Sequence, residues 1–121
     1  MNLEERIDLM TRLGAHLLSN DKDWLVTKEK ASGGNPWFTQ EFIELACKNI
    51  SNHFLDLQIL NHWIKHYHLD DNVVSKKLGI IMAGNIPLVG FHDLLAVFIS
   101  GHTAMIKLSS KDHVLMTHIV Q

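Results

Sequence analysis

Residues 78–112, "LGIIMAGNIPLVGFHDLLAVFISGHTAMIKLSSKD", decide the fold of this chain. The stretch opens on the short apolar run "LGIIMA", residues 78–83, bounded by glycine, which reads as a buried strand. "GNIP" ends it. Leu88, Phe91, Leu95 and Phe98 then recur at spacings of three and four, and predict a helix over about 88–100. Pro87, with no N–H and a fixed φ, suits the first turn of that helix. "SGH" interrupts the pattern, and "TAMIKL", residues 103–108, reads as a second buried strand. "SSKDH" opens a further helix, with Ser110 as its cap and Asp112 at its positive end. The order strand, helix, strand, helix implies an α/β fold with two parallel strands joined by a crossover.

Upstream the pattern is helical. Leu3, Ile7, Met10, Leu13 and Leu17 share one face of a helix over 3–19, and Asn2 with Glu5 has capping-box spacing. Gly14 weakens its middle by up to about 1 kcal/mol relative to alanine. Residues 21–30 are charged and suit a short helix around Trp24 and Leu25, and "ASGGNP", residues 31–36, reads as a loop. Thr39 is the expected N-cap of a helix running to about Phe54, with Phe38 and Ile43 as a hydrophobic staple. Phe42, Leu45, Ala46, Asn49 and Ile50 line one side of it. A third helix over 56–67 turns Leu57, Leu60, Ile64 and Tyr67 inward.

Composition narrows the function classes. Among 121 residues, 11 Lys and Arg face 13 Asp and Glu with no basic run, which gives nucleic acid no electrostatic footing. No apolar stretch approaches the ~20 residues of a membrane span, and the charged start lacks a signal-peptide core. The lone Cys47 excludes an internal disulfide, and a cytoplasmic location is expected. The sequence stops within a helical pattern, and two parallel strands are few for a stable sheet, so a fragment of a longer protein or a truncated reading frame is expected.

Ligands of open α/β sheets collect at the carboxyl ends of the strands. That rule sets Asn85, Lys107, Ser109 and Ser110 on one rim. The Asn85 amide is a donor suited to a developing oxyanion, a role typically worth about 2.7–4 kcal/mol. Lys107 suits a ribose or phosphate, and Ser109, Ser110 and Lys111 add hydroxyls and a charge beside a helix start. The plain alternative is a capped turn with solvated lysines. "GNIPLVG" is not the dinucleotide glycine fingerprint. Nine histidines raise the question of a metal, and His62 and His66 have i, i+4 spacing. With no intervening H-E-x-x-H pattern and no third ligand in sight, no metal site is expected. His92-Asp93 reads either as an oriented imidazole or as helix-face packing. Trp24, Trp37, Trp63, Phe38 and Phe42 read as core or interface anchors.

Residues 79–112 resemble the cofactor-binding domain of the aldehyde dehydrogenase superfamily. They resemble more closely the bacterial acyl-CoA reductases related to the fatty-acid reductase of bioluminescence. Asn85-Ile86-Pro87-Leu88 is similar to the superfamily's Asn-aromatic-Pro-Leu turn, and Lys107-Leu108-Ser109-Ser110 to its Lys-Pro-Ser-Glu strand end. "WFTQEFI" and "HYHL" are similar to the N-terminal region of those reductases. The resemblance implies an incomplete aldehyde-dehydrogenase-like fold, with a helical region over 1–72 and the first part of a Rossmann-like NADP-binding domain over 73–121. It implies NADPH-dependent reduction of a fatty acyl-CoA thioester to an aldehyde, and leaves a homo-oligomer of the full-length protein open.

By the same resemblance Asn85 stabilises the oxyanion, Lys107 contacts the adenosine ribose with Ser109 beside it, and Ile86, Pro87 and Ser110 belong to the cofactor site. Three departures matter. Gly84 replaces an aromatic residue, which implies more room at the turn. Leu108 replaces Pro. Ser110 stands where a Glu would repel a 2′-phosphate, which implies NADPH over NADH. The family's nucleophilic cysteine would lie beyond residue 121, and Cys47 reads as an inert thiol, so the chain alone should not turn over. The competing readings are a non-catalytic interaction module and a nucleotide-binding fragment of other function.

Overall fold

The computed structural model describes residues 1–121 as six helices and one small sheet. Helix α1, Leu3–Leu17, starts in the expected capping box: Asn2 accepts from the Glu5 N–H, and the Glu5 carboxylate accepts from the Asn2 N–H, both at 2.9 Å. Gly14 lies where α1 meets the segment after the third helix. A Cβ on it would come within 2.9 Å of the Leu55 Cβ. The glycine that lowers helix propensity is thus what lets the two backbones approach, and Ser51 Oγ uses that closeness to donate to the Gly14 carbonyl at 2.9 Å.

Helix α2, Lys22–Gly34, is longer than the expected short helix. It runs through "ASGG" and stops at Asn35, whose extended backbone (φ −142°, ψ 111°) is what a following proline demands. The loop expected at 31–36 is thereby reduced to its last two residues. Asp21 caps this helix through the Trp24 N–H at 3.0 Å. Helix α3, Gln40–His53, is capped by Thr39 as expected, and both staple residues, Phe38 and Ile43, are buried. Its inward face differs from the expected one. Ile43, Cys47, Ile50 and Ser51 are buried, while Phe42 and Leu45 face solvent. The Ser51 bond to Gly14 goes with this orientation, which turns the greasier-looking side outward. Helix α4, Leu57–Ile64, buries only Leu60; Leu57 and Tyr67 are exposed.

Strands β1, Lys77–Ile81, and β2, Thr103–Lys107, pair in parallel from Lys77 opposite Thr103 to Ile81 opposite Lys107. Helix α5, Phe91–Ile99, joins them, and α6, Val114–Val120, follows. The strand, helix, strand, helix order therefore holds. The burial of the strands does not. Ile80 is the one buried residue in either, and Ile81 is 84 % exposed, because the helices cover one face of the sheet only. The core runs across residue 72: Trp24, Ile43 and Leu60 belong to the same buried cluster as Phe91, Leu95 and Leu115. Arg6 ties these parts together. Its buried guanidinium donates to the carbonyls of Ile99, Asp70 and Met1 at 3.1, 2.9 and 2.8 Å. No helix is long and apolar enough to cross a membrane.

Candidate functional site

Parallel pairing brings the carboxyl ends of β1 and β2 to one edge of the sheet, and two loops leave from there. The first holds "AGNIPLVG". It does not enter α5 directly: Pro87 sits in a turn rather than in the first turn of the helix, which begins at Phe91. Within that turn Leu88 takes φ 59°, a left-handed conformation that costs a branched side chain on the order of 1–3 kcal/mol. Two contacts hold it. The Leu88 side chain is buried, and its N–H donates to Asp112 Oδ2 at 2.7 Å.

Asp112 comes from the second loop, so this bond fastens the two loops to each other. It also overturns the expected capping of α6, whose N-cap is His113 with no side-chain bond. Ser110 does not cap it either. Asp112 Oδ1 is buried without a partner, and burial pushes the carboxyl up to about 6 against an ordinary 3.8, with the Leu88 bond opposing.

Gly84 is the other fastening. A Cβ there would meet the Ser109 Cβ at 2.6 Å and the Lys111 Cβ at 3.0 Å. The extra room expected from the missing aromatic side chain is therefore filled, by Ser109 from the neighbouring loop. Ser109 Oγ in turn accepts from the Lys111 N–H at 3.1 Å.

These fastenings set Asn85, Ser110 and Lys111 around one cleft of about 600 Å³, whose far wall is Asn35, Pro36 and Trp37 from the α2–α3 connection. Asn35 braces both sides. Its Nδ2 donates to the Lys111 carbonyl at 3.0 Å, and its Oδ1 accepts from the Trp37 N–H at 3.0 Å. No carboxylate lines the cleft, and the three ion pairs of the chain, Arg12–Asp8, Lys28–Glu44 and His68–Asp70, leave Lys111 out. An amide, a hydroxyl and an ammonium outside any ion pair, in one cleft with a tryptophan, suit an anionic ligand with an aromatic part.

The other expected site residues lie beside this cleft. Lys107 ends β2, exposed, opposite Ile81. Ser109 is spent on packing against Gly84, Ile86 is exposed, and Pro87 is buried in the turn. The aromatic anchors divide: Trp24 and Phe38 are core, Trp63 is half-buried, and Trp37, 80 % exposed, is not core at all. Sequence reasoning missed Asn35 and Trp37 because "GNPW" has the composition of an ordinary loop. The signal available was an Asn-Pro pair directly before a tryptophan.

The remaining candidates lie elsewhere. His92 packs against Phe54 and Trp63, with ring centroids 5.2 and 5.9 Å apart, beside a mainly apolar cleft of about 360 Å³ between α4 and α5. His62 and His66 stack edge to face at 5.1 Å, and no group of three or more potential metal ligands converges. Cys47 is fully buried, and that burial pushes its thiol up to about 11, opposed by the Lys28 charge. A thiol in that state is a poor nucleophile. No protein-family model, curated protein or solved structure matches the chain.

Proposed function

We propose that this chain is the N-terminal part of an NADPH-dependent reductase that converts a fatty acyl-CoA thioester to an aldehyde. It would carry the opening strands of a Rossmann-like domain in an aldehyde-dehydrogenase-like fold. The observation that carries the reading is the meeting of the "AGNIPL" and "LSSKD" loops in one cleft at the carboxyl edge of a parallel pair. That is the position where α/β sheets take nucleotides, and the two loops are the segments on which the family resemblance rests.

The lining fits the cofactor. Lys111 and Ser110 bring a cation and a hydroxyl to a cleft that no carboxylate lines, the neighbouring Asp112 being buried against the Leu88 N–H, which favours a 2′-phosphate. On this reading the exposed Lys107 and Ile86 flank the cofactor, Lys107 toward the ribose, while Ser109 and Pro87 shape the loops behind it by packing. NADPH supplies hydride. Asn85 donates its side-chain N–H to the thioester oxygen as that oxygen gains negative charge. The turn that carries Asn85 is fastened three residues on, where Asp112 clamps the Leu88 N–H. The acyl-accepting thiol is not Cys47, which is buried in the helical half.

Calorimetric titration of the chain with NADPH and NADH tests the reading. NADPH is expected to bind at least about tenfold more tightly, and Lys107→Ala to weaken it. Equal affinity for the two cofactors, or binding indifferent to Lys107, would contradict it.

A further inference from the structure

We propose that Trp37 is the stacking wall of this cleft, on which the adenine of a 2′-phosphorylated adenosine nucleotide lies while its phosphate meets Lys111 and Ser110. The inference rests on the reductase reading and adds to it a residue from the helical half. Trp37 is 80 % exposed although its neighbour Phe38 is buried, so the chain folds with this indole held out of the core. Its backbone is held: Pro36 stiffens the chain before it, and Asn35 Oδ1 accepts from the Trp37 main-chain N–H.

The same Asn35 donates to the Lys111 main-chain carbonyl, so the backbones that carry the indole and the ammonium are fastened to one bracket. Preorganisation of this kind spares the ordering cost of binding. The cleft, about 600 Å³, lies within the range of small-molecule sites. A tryptophan and a lysine lining one cleft that no acidic side chain lines select a ligand that is planar at one end and anionic at the other.

Titrating the 121-residue chain with adenosine 2′,5′-bisphosphate tests this by tryptophan fluorescence. Trp24 is buried and Trp63 half-buried, so the red-shifted emission belongs to Trp37. Saturable quenching of that emission is expected. Trp37→Ala is expected to weaken binding about tenfold or more, by loss of stacking, and Trp37→Phe to keep it within about threefold. Lys111→Gln should weaken binding and flatten its salt dependence. Since Trp37 is exposed, its substitution leaves the core intact. Bisphosphate binding that is indifferent to Trp37→Ala overturns the inference, as does failure of the bisphosphate to bind. If NADPH is still preferred over NADH in that case, the reductase reading survives without Trp37. If NADPH also fails to bind, both fall.

Discussion

Asp112 shows how far a single residue can depart from its local signal. Its position after "SSK" suggests a helix cap, yet its carboxylate reaches back across the sheet edge to the strained Leu88. Nothing within the helix pattern announces that contact, because it depends on where the other loop lies. A buried carboxylate with one unpartnered oxygen favours its protonated form. Its folded pKa, about 6, lies above the ordinary 3.8. The stability it contributes is therefore complete below 3.8 and lost as the pH rises through about 6. The amplitude should be about 1–3 kcal/mol, from 1.36 kcal/mol per pKa unit. Asp112→Asn keeps an acceptor for the Leu88 N–H and cannot ionise. Urea denaturation at a series of pH values should show this slope in the parent chain and its loss in the variant. An unchanged slope would assign it to other groups. Gly84 teaches the same lesson: its identity is legible, but the Ser109 side chain that fills its missing Cβ is not.

Among the elements, capping signals were the most readable. Asn2 and Thr39 start helices as expected because a cap is a local contact. Faces and burial were less readable because they depend on distant partners, as the outward Phe42 and the exposed Ile81 show. The docking of α6 on α2 was not legible at all, since His118 of α6 is far in sequence from Trp24 and Thr27 of α2 and from His16 of α1, which it meets. Thr27 Oγ1 gives its only proton to the Asp23 carbonyl at 2.7 Å, so toward His118 Nδ1 at 3.3 Å it can only accept. His118 thus carries its proton on Nδ1, and its Nε2 accepts from His16 Nε2–H at 2.9 Å. Trp24 stacks on His118 with centroids 4.9 Å apart.

A proton on His118 Nε2 would set two N–H groups against each other. Burial and His16 both lower the His118 pKa below its ordinary 6.5, while Asp21 and Asp23 oppose them. The contribution of this contact is therefore present above 6.5 and lost as the pH falls through the depressed folded value. NMR titration should place the His118 ring proton inflection below 6.5, with the Trp24 indole signal moving in step. An inflection at 6.5, or a Trp24 signal that ignores it, would contradict the proposed arrangement.

At the scale of the molecule, the two parallel strands and the helical first half were both legible, since hydrophobic period and glycine punctuation are written along the chain. Their joining was not. The core spans both halves, and the Asn35 bracket carries a loop of the helical half to the edge of the sheet. The cleft therefore exists only in the folded chain, as the meeting of "GNPW", "AGNIPL" and "LSSKD". Whether NADPH occupies it is decided by titrating isotope-labelled chain with NADPH and following heteronuclear NMR spectra. Saturable shifts are expected at the Asn85 side-chain amide, the Ser110 and Lys111 backbone amides and the Trp37 indole N–H. An unperturbed spectrum, or shifts confined to the Trp63 and His92 groove, would contradict that occupancy.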